Sequence, residues 1–150
     1  MLVRKGELHD LHAVHEMIAE LHEAGIKDYG LGHDRDSTTA SIEMFIRHHL
    51  GIVAIENDLV IGCLGGFFTP YYLNNRSVMF QEILWYVRPD RRGTGAAMQL
   101  LDVAMTEAKA RGATHFVTAH SGRVLSQKLR RVYEKLDFQL LETQYIRSLA

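Results

Sequence analysis

The stretch VRPDRRGTGAAMQLL, residues 87–101, sets Arg88, Arg91 and Arg92 and the glycines Gly93 and Gly95 between an apolar run and a helical pattern. A helix amino terminus exposes about four N–H groups without intrahelical partners and carries partial positive charge. A strand, a glycine turn and a helix therefore form an anion seat before any side chain is considered. Gly93 and Gly95 let the main chain approach a ligand closely. A P-loop would end in Gly-Lys-Ser or Gly-Lys-Thr, which is absent, and the dinucleotide fingerprint would place its third small residue at Met98. Neither motif fits.

Upstream, Glu82 interrupts the run MFQEILWYV. A charge in mid-strand is costly unless it faces a cleft, a partner or water, and this singles Glu82 out. By strand alternation Gln81 points to the opposite face, unless a bulge changes the sense. His9, His12 and His15 recur every third residue, but no converging carboxylate or cysteine completes a metal set, so no metal is expected and these histidines read as a solvated helix face. Cys63, the single cysteine, lies in LVIGCLGG, which predicts a buried thiol and a reducing compartment.

These residues need a scaffold. The chain has 150 residues, 47% hydrophobic and 23% charged, which suits one folded domain spanning residues 1–150. A formal net charge of -1 provides no global field for nucleic acid or an anionic membrane, so any anion site is local. The amino terminus turns polar before an apolar core of signal-peptide length, and no run approaches the roughly 18 apolar residues of a membrane span. A cytoplasmic protein is expected.

MLVRKGEL reads as a strand, and Leu11, Val14, Ile18 and Leu21 predict a helix stopped at Gly25. After the loop IKDYGLGHDRD, a second helix carries Ile42, Phe45 and Ile46. Two strands meet at Asn57-Asp58, and PYYLNNRS turns the chain at Asn-Asn into a third and longest strand, VMFQEILWYV. A helix follows with Met98, Leu101, Ala104, Met105 and Ala108 inward, ending at Gly112. THFVTAH is a short strand, and VLSQKLRRVYEKLDF a helix with Leu125, Leu129, Val132, Tyr133 and Leu136 inward. QLLETQYIRSL is a closing strand. A strand passing through a glycine turn and a helix to another strand calls for parallel pairing, hence a mixed α/β sheet.

Arg92-Gly93-Thr94-Gly95-Ala96-Ala97 reads R-x-x-G-x-A and resembles the (Q/R)-x-x-G-x-(G/A) pyrophosphate-binding pattern of the GNAT superfamily of acyl-CoA-dependent N-acyltransferases. Val87, Arg88 and Pro89 resemble its V-x-P lead-in, and the order of elements resembles its fold over nearly the whole chain. The resemblance implies an α/β GNAT fold: a mixed, mostly antiparallel central sheet, helices on both faces, and a β-α-β crossover that binds acyl-CoA. It implies that N–H groups of Gly93, Thr94, Gly95, Ala96 and Ala97 hold the diphosphate of acetyl-CoA, and that the strand ending at Val87 bonds the pantetheine arm. Arg92 would add charge-assisted bonds to phosphate, with Arg88 and Arg91 as candidates for the same role.

FQEI at residues 80–83 is similar to the F-x-E-I pattern of members that use a glutamate base, which makes Glu82 the base. Tyr133 in YEKLDF is similar to the family's Y-x-x-x-G-F tyrosine, which protonates the departing thiolate; Asp137 replaces the glycine. Ser126 stands where an asparagine bonds the pantetheine region, and that departure weakens any claim for it. His120 and Ser121 fall near the expected acyl end, with His120 a reserve base because its ordinary pKa lies near neutrality.

The acceptor implied is a primary amine, on a small molecule or a peptide. Asp28, Asp34 and Asp36 in the early loop would favour a cationic one if they line the entrance, and are equally readable as solvated caps. The aromatic tip FFTPYYLNN and the short closing segment suggest a homodimer. Two other readings stay open: an acyl-CoA-binding module without turnover, and an enzyme modifying a nucleic acid base through Lys128, Arg130 and Arg131.

Overall fold

The computed structural model describes residues 1–122 and 126–149. Its strands are β1 (Leu2–Lys5), β2 (Leu50–Glu56), β3 (Leu59–Tyr71), β4 (Asn74–Val87) and β5 (His115–Val117), and its helices are α1 (Leu11–Leu21), α2 (Arg35–His48), α3 (Ala96–Ala110) and α4 (Ser126–Lys135). They form one open sheet in the order β1-β2-β3-β4-β5. The first three pairings are antiparallel, and β4 pairs with β5 in parallel across α3. The mixed, mostly antiparallel α/β sheet expected from the sequence is present.

Asn57 and Asp58 turn β2 into β3 with φ of 51° and 62°, the left-handed pair that a tight hairpin turn requires. On one face of the sheet, Leu50, Ile52, Ile61, Leu64, Phe80 and Val87 pack against Leu100, Leu101 and Ala104 of α3. On the other, Val53, Cys63, Leu84 and Tyr86 pack against Val14 and Met17 of α1 and Ile42 of α2. Leu100 and Leu101 are fully buried, and each such side chain contributes about 1.5–3 kcal/mol by leaving water. The β4–α3–β5 crossover is thereby fixed on the sheet, and the glycine turn with it.

The first helix is interrupted at Gly25 as its sequence predicts: α1 ends at Leu21 and passes into a wide turn at His22–Ile26, where Gly25 leaves helical geometry, and a separate tight turn at Lys27–Tyr29 then closes at Gly30, whose φ of 77° provides a left-handed cap. The structure departs from the sequence reading at several points. The β3–β4 turn falls at Tyr72-Leu73, because Asn74 and Asn75 already belong to β4. Met98 is exposed, since a first-turn side chain leans back over the open glycine turn instead of the sheet. Leu136 follows the last helical residue, Lys135, and so loses the inward face; Leu125 lies outside the described residues.

The closing strand is absent. Asp137, with φ of 59°, turns the chain out of α4, and residues 139–149 run without a ladder, leaving Leu140, Leu141, Tyr145 and Leu149 exposed. β5 offers only His115–Val117 as an edge, too short to template a strand of that length. His15 also departs from expectation. His9 and His12 are exposed, whereas His15 is buried beneath His33, whose ring lies 5.2 Å away as the loop before α2 folds back on α1. No helix among the described residues is long and apolar enough to cross a membrane.

Candidate active site

The glycine turn has the geometry its sequence implies. Gly93 and Gly95 both have φ of 87°, and the space where a Cβ would project is open at each. Gly95 caps α3, and the first main-chain bond of the helix runs from the Gln99 N–H to the Gly95 carbonyl at 3.1 Å. Among the described residues, no main-chain carbonyl accepts from the N–H groups of residues 93–97. They are the free donors of a helix start, held on a rigid element, and they fit a diphosphate.

The three arginines divide. Arg92 lays its guanidinium 5.4 Å from the centre of the Tyr86 ring and donates from Nε to the Val87 carbonyl at 3.0 Å, which holds it in place at the cleft that it lines. Arg91 is drawn towards Glu56 at 3.4 Å. The Arg88 main chain is tied to β3 by its N–H bond to the Ile61 carbonyl at 3.0 Å, while its Nε is buried without a hydrogen-bond partner among the described residues. Thr94 closes the turn on itself, its hydroxyl donating to the Arg91 carbonyl at 2.8 Å.

Beside the turn, β4 and β5 come apart. Their ladder pairs Met79 to Gln81 with His115 to Val117 and ends there, so the edge of β4 from Glu82 to Val87 has no neighbouring strand on that side. The β3–β4 register also shifts between Gly65 and Gly66, which face Leu84 and Glu82, leaving Ile83 as the extra residue of a bulge. The bulge lets Phe80 face α3 while Leu84 and Tyr86 face α1 and α2. Glu82 stands where the change of face and the parting of the strands coincide.

Glu82 is 8% exposed. Its Oε2 accepts from the Thr118 hydroxyl at 2.7 Å and from the Ala119 N–H at 3.4 Å. Burial pushes its carboxyl up to about 7, against the opposing pull of those two donors. Tyr133 is equally enclosed. Its hydroxyl donates to the Ala119 carbonyl at 2.8 Å and lies 3.0 Å from Thr118 Oγ1, and burial pushes it up to about 12.

A cleft of about 320 Å³ opens over these groups, within the usual size of a small-molecule site. Glu82, Trp85, Val87, Arg92, Ala97 and His120 all line it. The glycine turn and the buried carboxyl thus share one space. Tyr133 stands behind that wall, its ring stacked on His120 at 6.3 Å and its hydroxyl on Ala119, both of which face the cleft. Gln81 takes no part in the lining described.

None of Asp28, Asp34 and Asp36 is among the described lining residues of the cleft. Asp34 caps α2 by accepting from the Ser37 N–H at 2.7 Å, Asp36 lies in the first turn of that helix, and among the described lining residues Glu82 is the single carboxylate. The side chain of Ser126 lies outside the described residues. Among the described residues, no group of three histidine, cysteine or acidic side chains could hold a metal. Cys63 is buried and its thiol is pushed up to about 12 by desolvation, which makes it a core side chain.

Three contributors carry no motif of their own. Thr118 directly follows β5 and bridges Glu82 and Tyr133. Trp85 lines the cleft with its Nε1 buried and unpartnered among the described residues. Gly66 makes room for the bulge, and the pair Gly65-Gly66 inside a strand was the available signal for it.

Solved structures with the same architecture are acetyltransferases in several cases. A ribosomal-protein-alanine N-acetyltransferase from Brucella melitensis biovar Abortus 2308 superposes with a TM-score of 0.75 at 18% identity, covering 99% of this chain and 100% of its own. A predicted acetyltransferase from Clostridium acetobutylicum, solved with acetyl-CoA, gives 0.73 at 22% identity over 99% and 96%. The aminoglycoside N-acetyltransferase AAC(6')-Iy in complex with CoA gives 0.73 at 17% over 99% and 95%. Among curated protein sequences, none matches significantly. The model of the acetyltransferase (GNAT) family matches residues 12–138, and the chain belongs to that family.

Proposed function

We propose that residues 1–150 act as a single-domain N-acetyltransferase that moves an acetyl group from acetyl-CoA to a primary amine by direct attack. The observation that carries this reading is the meeting of a buried carboxyl, pushed up to about 7, with the glycine turn on one cleft. Gly93 to Ala97 hold the diphosphate through their N–H groups, Arg92 adds charge, and the free edge of β4 towards Val87 receives the pantetheine arm. These contacts set the thioester carbonyl beside Glu82.

An amine attacks only when neutral, and a carboxylate with a pKa near the working pH is suited to accept its proton. Glu82 fills that role. As the C–N bond forms, the carboxylate takes a proton from nitrogen; as the C–S bond breaks, Tyr133 gives its phenolic proton to the thiolate. Burial keeps Tyr133 protonated until the thiolate leaves, and in this reading its hydroxyl turns from the Ala119 carbonyl towards the cleft to deliver the proton to sulfur. His120 lies between this tyrosine and the cleft and stacks on its ring, which makes it a positioning group in this reading.

The acceptor is a small-molecule or peptide amine that enters past Leu21, Ile26 and Ile83, an apolar approach. The exposed apolar segment 139–149 and the free edge of β5 support a homodimer, which sedimentation across a concentration series would test. The function itself is tested by thiol release from acetyl-CoA across polyamines, aminoglycosides and peptide amino termini. Turnover with one class, reduced at least 100-fold in Glu82→Gln, is the expected result. Tight CoA binding without turnover on any amine would make the chain a binding module instead.

A further inference from the structure

We propose that Thr118 is a proton relay between Glu82 and Tyr133, which returns the proton taken from the amine to the tyrosine that has given its own to the thiolate. This rests on the acid and base roles proposed above.

The geometry imposes the argument. Thr118 Oγ1 lies 2.7 Å from Glu82 Oε2 and 3.0 Å from Tyr133 Oη, and a threonine hydroxyl owns one hydrogen. It can donate to only one of the two at a time. With Glu82 ionised, the carboxylate is the stronger acceptor and takes that hydrogen, while Tyr133 donates to the Ala119 carbonyl at 2.8 Å. Once Glu82 is protonated, its own O–H can donate to Thr118 Oγ1, and the threonine hydrogen is free to turn to Tyr133. The state of one group therefore sets the bond offered to the other.

After one turnover with a neutral amine, Glu82 carries a proton and Tyr133 is a phenolate. The relay restores both. The Glu82 O–H breaks as its proton bonds to Thr118 Oγ1; the original Thr118 O–H breaks as its proton bonds to Tyr133 Oη. Carboxylate, hydroxyl and phenol are regenerated, and the net transfer is one proton from nitrogen to sulfur. No water need enter the cleft, and the phenolate, pushed up to about 12, is a strong enough base to draw the proton from a carboxyl at about 7.

Two measurements test this. The first uses the protein alone: ¹³C labels on the Glu82 carboxyl and Tyr133 Cζ are followed from pH 5 to 9 in wild type, Thr118→Ser and Thr118→Val. A Tyr133 step at the Glu82 midpoint, retained in the serine variant and lost in the valine variant, supports the relay; persistence of that step in Thr118→Val overturns it. The second uses acetyl-CoA and the best amine of the panel in rapid mixing. Thr118→Val is expected to release one thiol per site at near wild-type rate and then slow about 10- to 100-fold, with Thr118→Ser within about threefold of wild type. Uniformly slow release without a burst, or wild-type turnover in Thr118→Val, refutes the relay. If instead Glu82→Gln and Tyr133→Phe both keep full turnover, the acid and base assignment fails, and the labelled titration still reports whether the hydroxyl couples the two groups.

Discussion

Gly66 lies opposite Glu82 in the β3–β4 ladder, and a Cβ placed on it would run into the Gln81 carbonyl oxygen and the Glu82 Cα. The obstacle is backbone on a central strand, which cannot swing aside as a flexible side chain would. The absent side chain is therefore what allows β4 to bulge at Ile83 and aim Glu82 at the parting of β4 and β5. Gly66→Ala is expected to cost about 1–3 kcal/mol of stability through forced backbone movement. Whatever enzyme survives should show a larger loss in kcat than in KM for acetyl-CoA, because the carboxyl moves and the glycine turn does not. Urea unfolding and steady-state kinetics on the same preparation check both halves.

Glu82 links function to pH in a direction that can be worked out. Its folded pKa of about 7 stands above the ordinary 4.5, so between those values the folded protein holds a proton that the unfolded chain has lost. Stability therefore falls as pH rises from about 4.5 to about 7, by an amount of order 3 kcal/mol. With Glu82 as the proposed base, activity is expected to run the other way, kcat/KM rising through pH 7 as the carboxylate forms. Glu82→Gln should abolish the activity and also lift stability at pH 8 relative to wild type. Thermal unfolding at pH 5 and pH 8 would show it, since the two proteins should differ much less at pH 5.

Part of this site could be read from residue order alone. The turn at Gly93 and Gly95 announces itself because two closely spaced glycines between a strand and a helix have few other uses, and both adopt the left-handed φ that makes them necessary. Glu82 stood out because a mid-strand charge demands an explanation. Thr118 could not be found that way, because its role depends on strands parting after Gln81 and Val117, a tertiary event with no local signal. His15 was misread for a similar reason: its helix spacing is correct, but the chain that covers it, carrying His33, arrives from a loop. The closing segment failed because alternation of apolar residues proposes a strand, and only an available edge makes one.

Substitutions in the turn should separate binding from chemistry. Gly95→Ala forces a side chain into φ of 87° at the cap of α3, at a cost of about 1–2 kcal/mol, and tilts the N–H groups that follow. Arg92→Ala removes a cation that is held in place by Val87 and Tyr86. Each is expected to raise KM for acetyl-CoA by roughly 10- to 100-fold, in keeping with the loss of one charge-assisted contact. The Glu82-dependent midpoint of the pH profile should stay where it is. Arg91→Ala, whose guanidinium is drawn to Glu56, should change KM by less than about threefold.

His15 makes the opposite linkage to that of Glu82. Neither ring nitrogen has a hydrogen-bond partner among the described residues. Burial first, then the positive charge of Arg35 and the neighbouring His33, hold its pKa below the ordinary value. The folded protein keeps the ring neutral while the unfolded chain takes up a proton, so stability is lost as pH falls below about 6.5. An apolar side chain of similar volume avoids both penalties: His15→Leu is expected to gain about 1–3 kcal/mol from removing unpartnered buried nitrogens, with a larger gain at pH 5.5 than at pH 8. Because Glu82 weakens the fold on the alkaline side and His15 on the acid side, combining His15→Leu with Glu82→Gln should flatten the stability profile from pH 5.5 to pH 8 more than either change alone. Glu82 bonds to Thr118 and Ala119 whereas His15 packs on His33, with no partner in common, so the two effects should add, and calorimetry across that range on the four proteins of the cycle would detect any coupling.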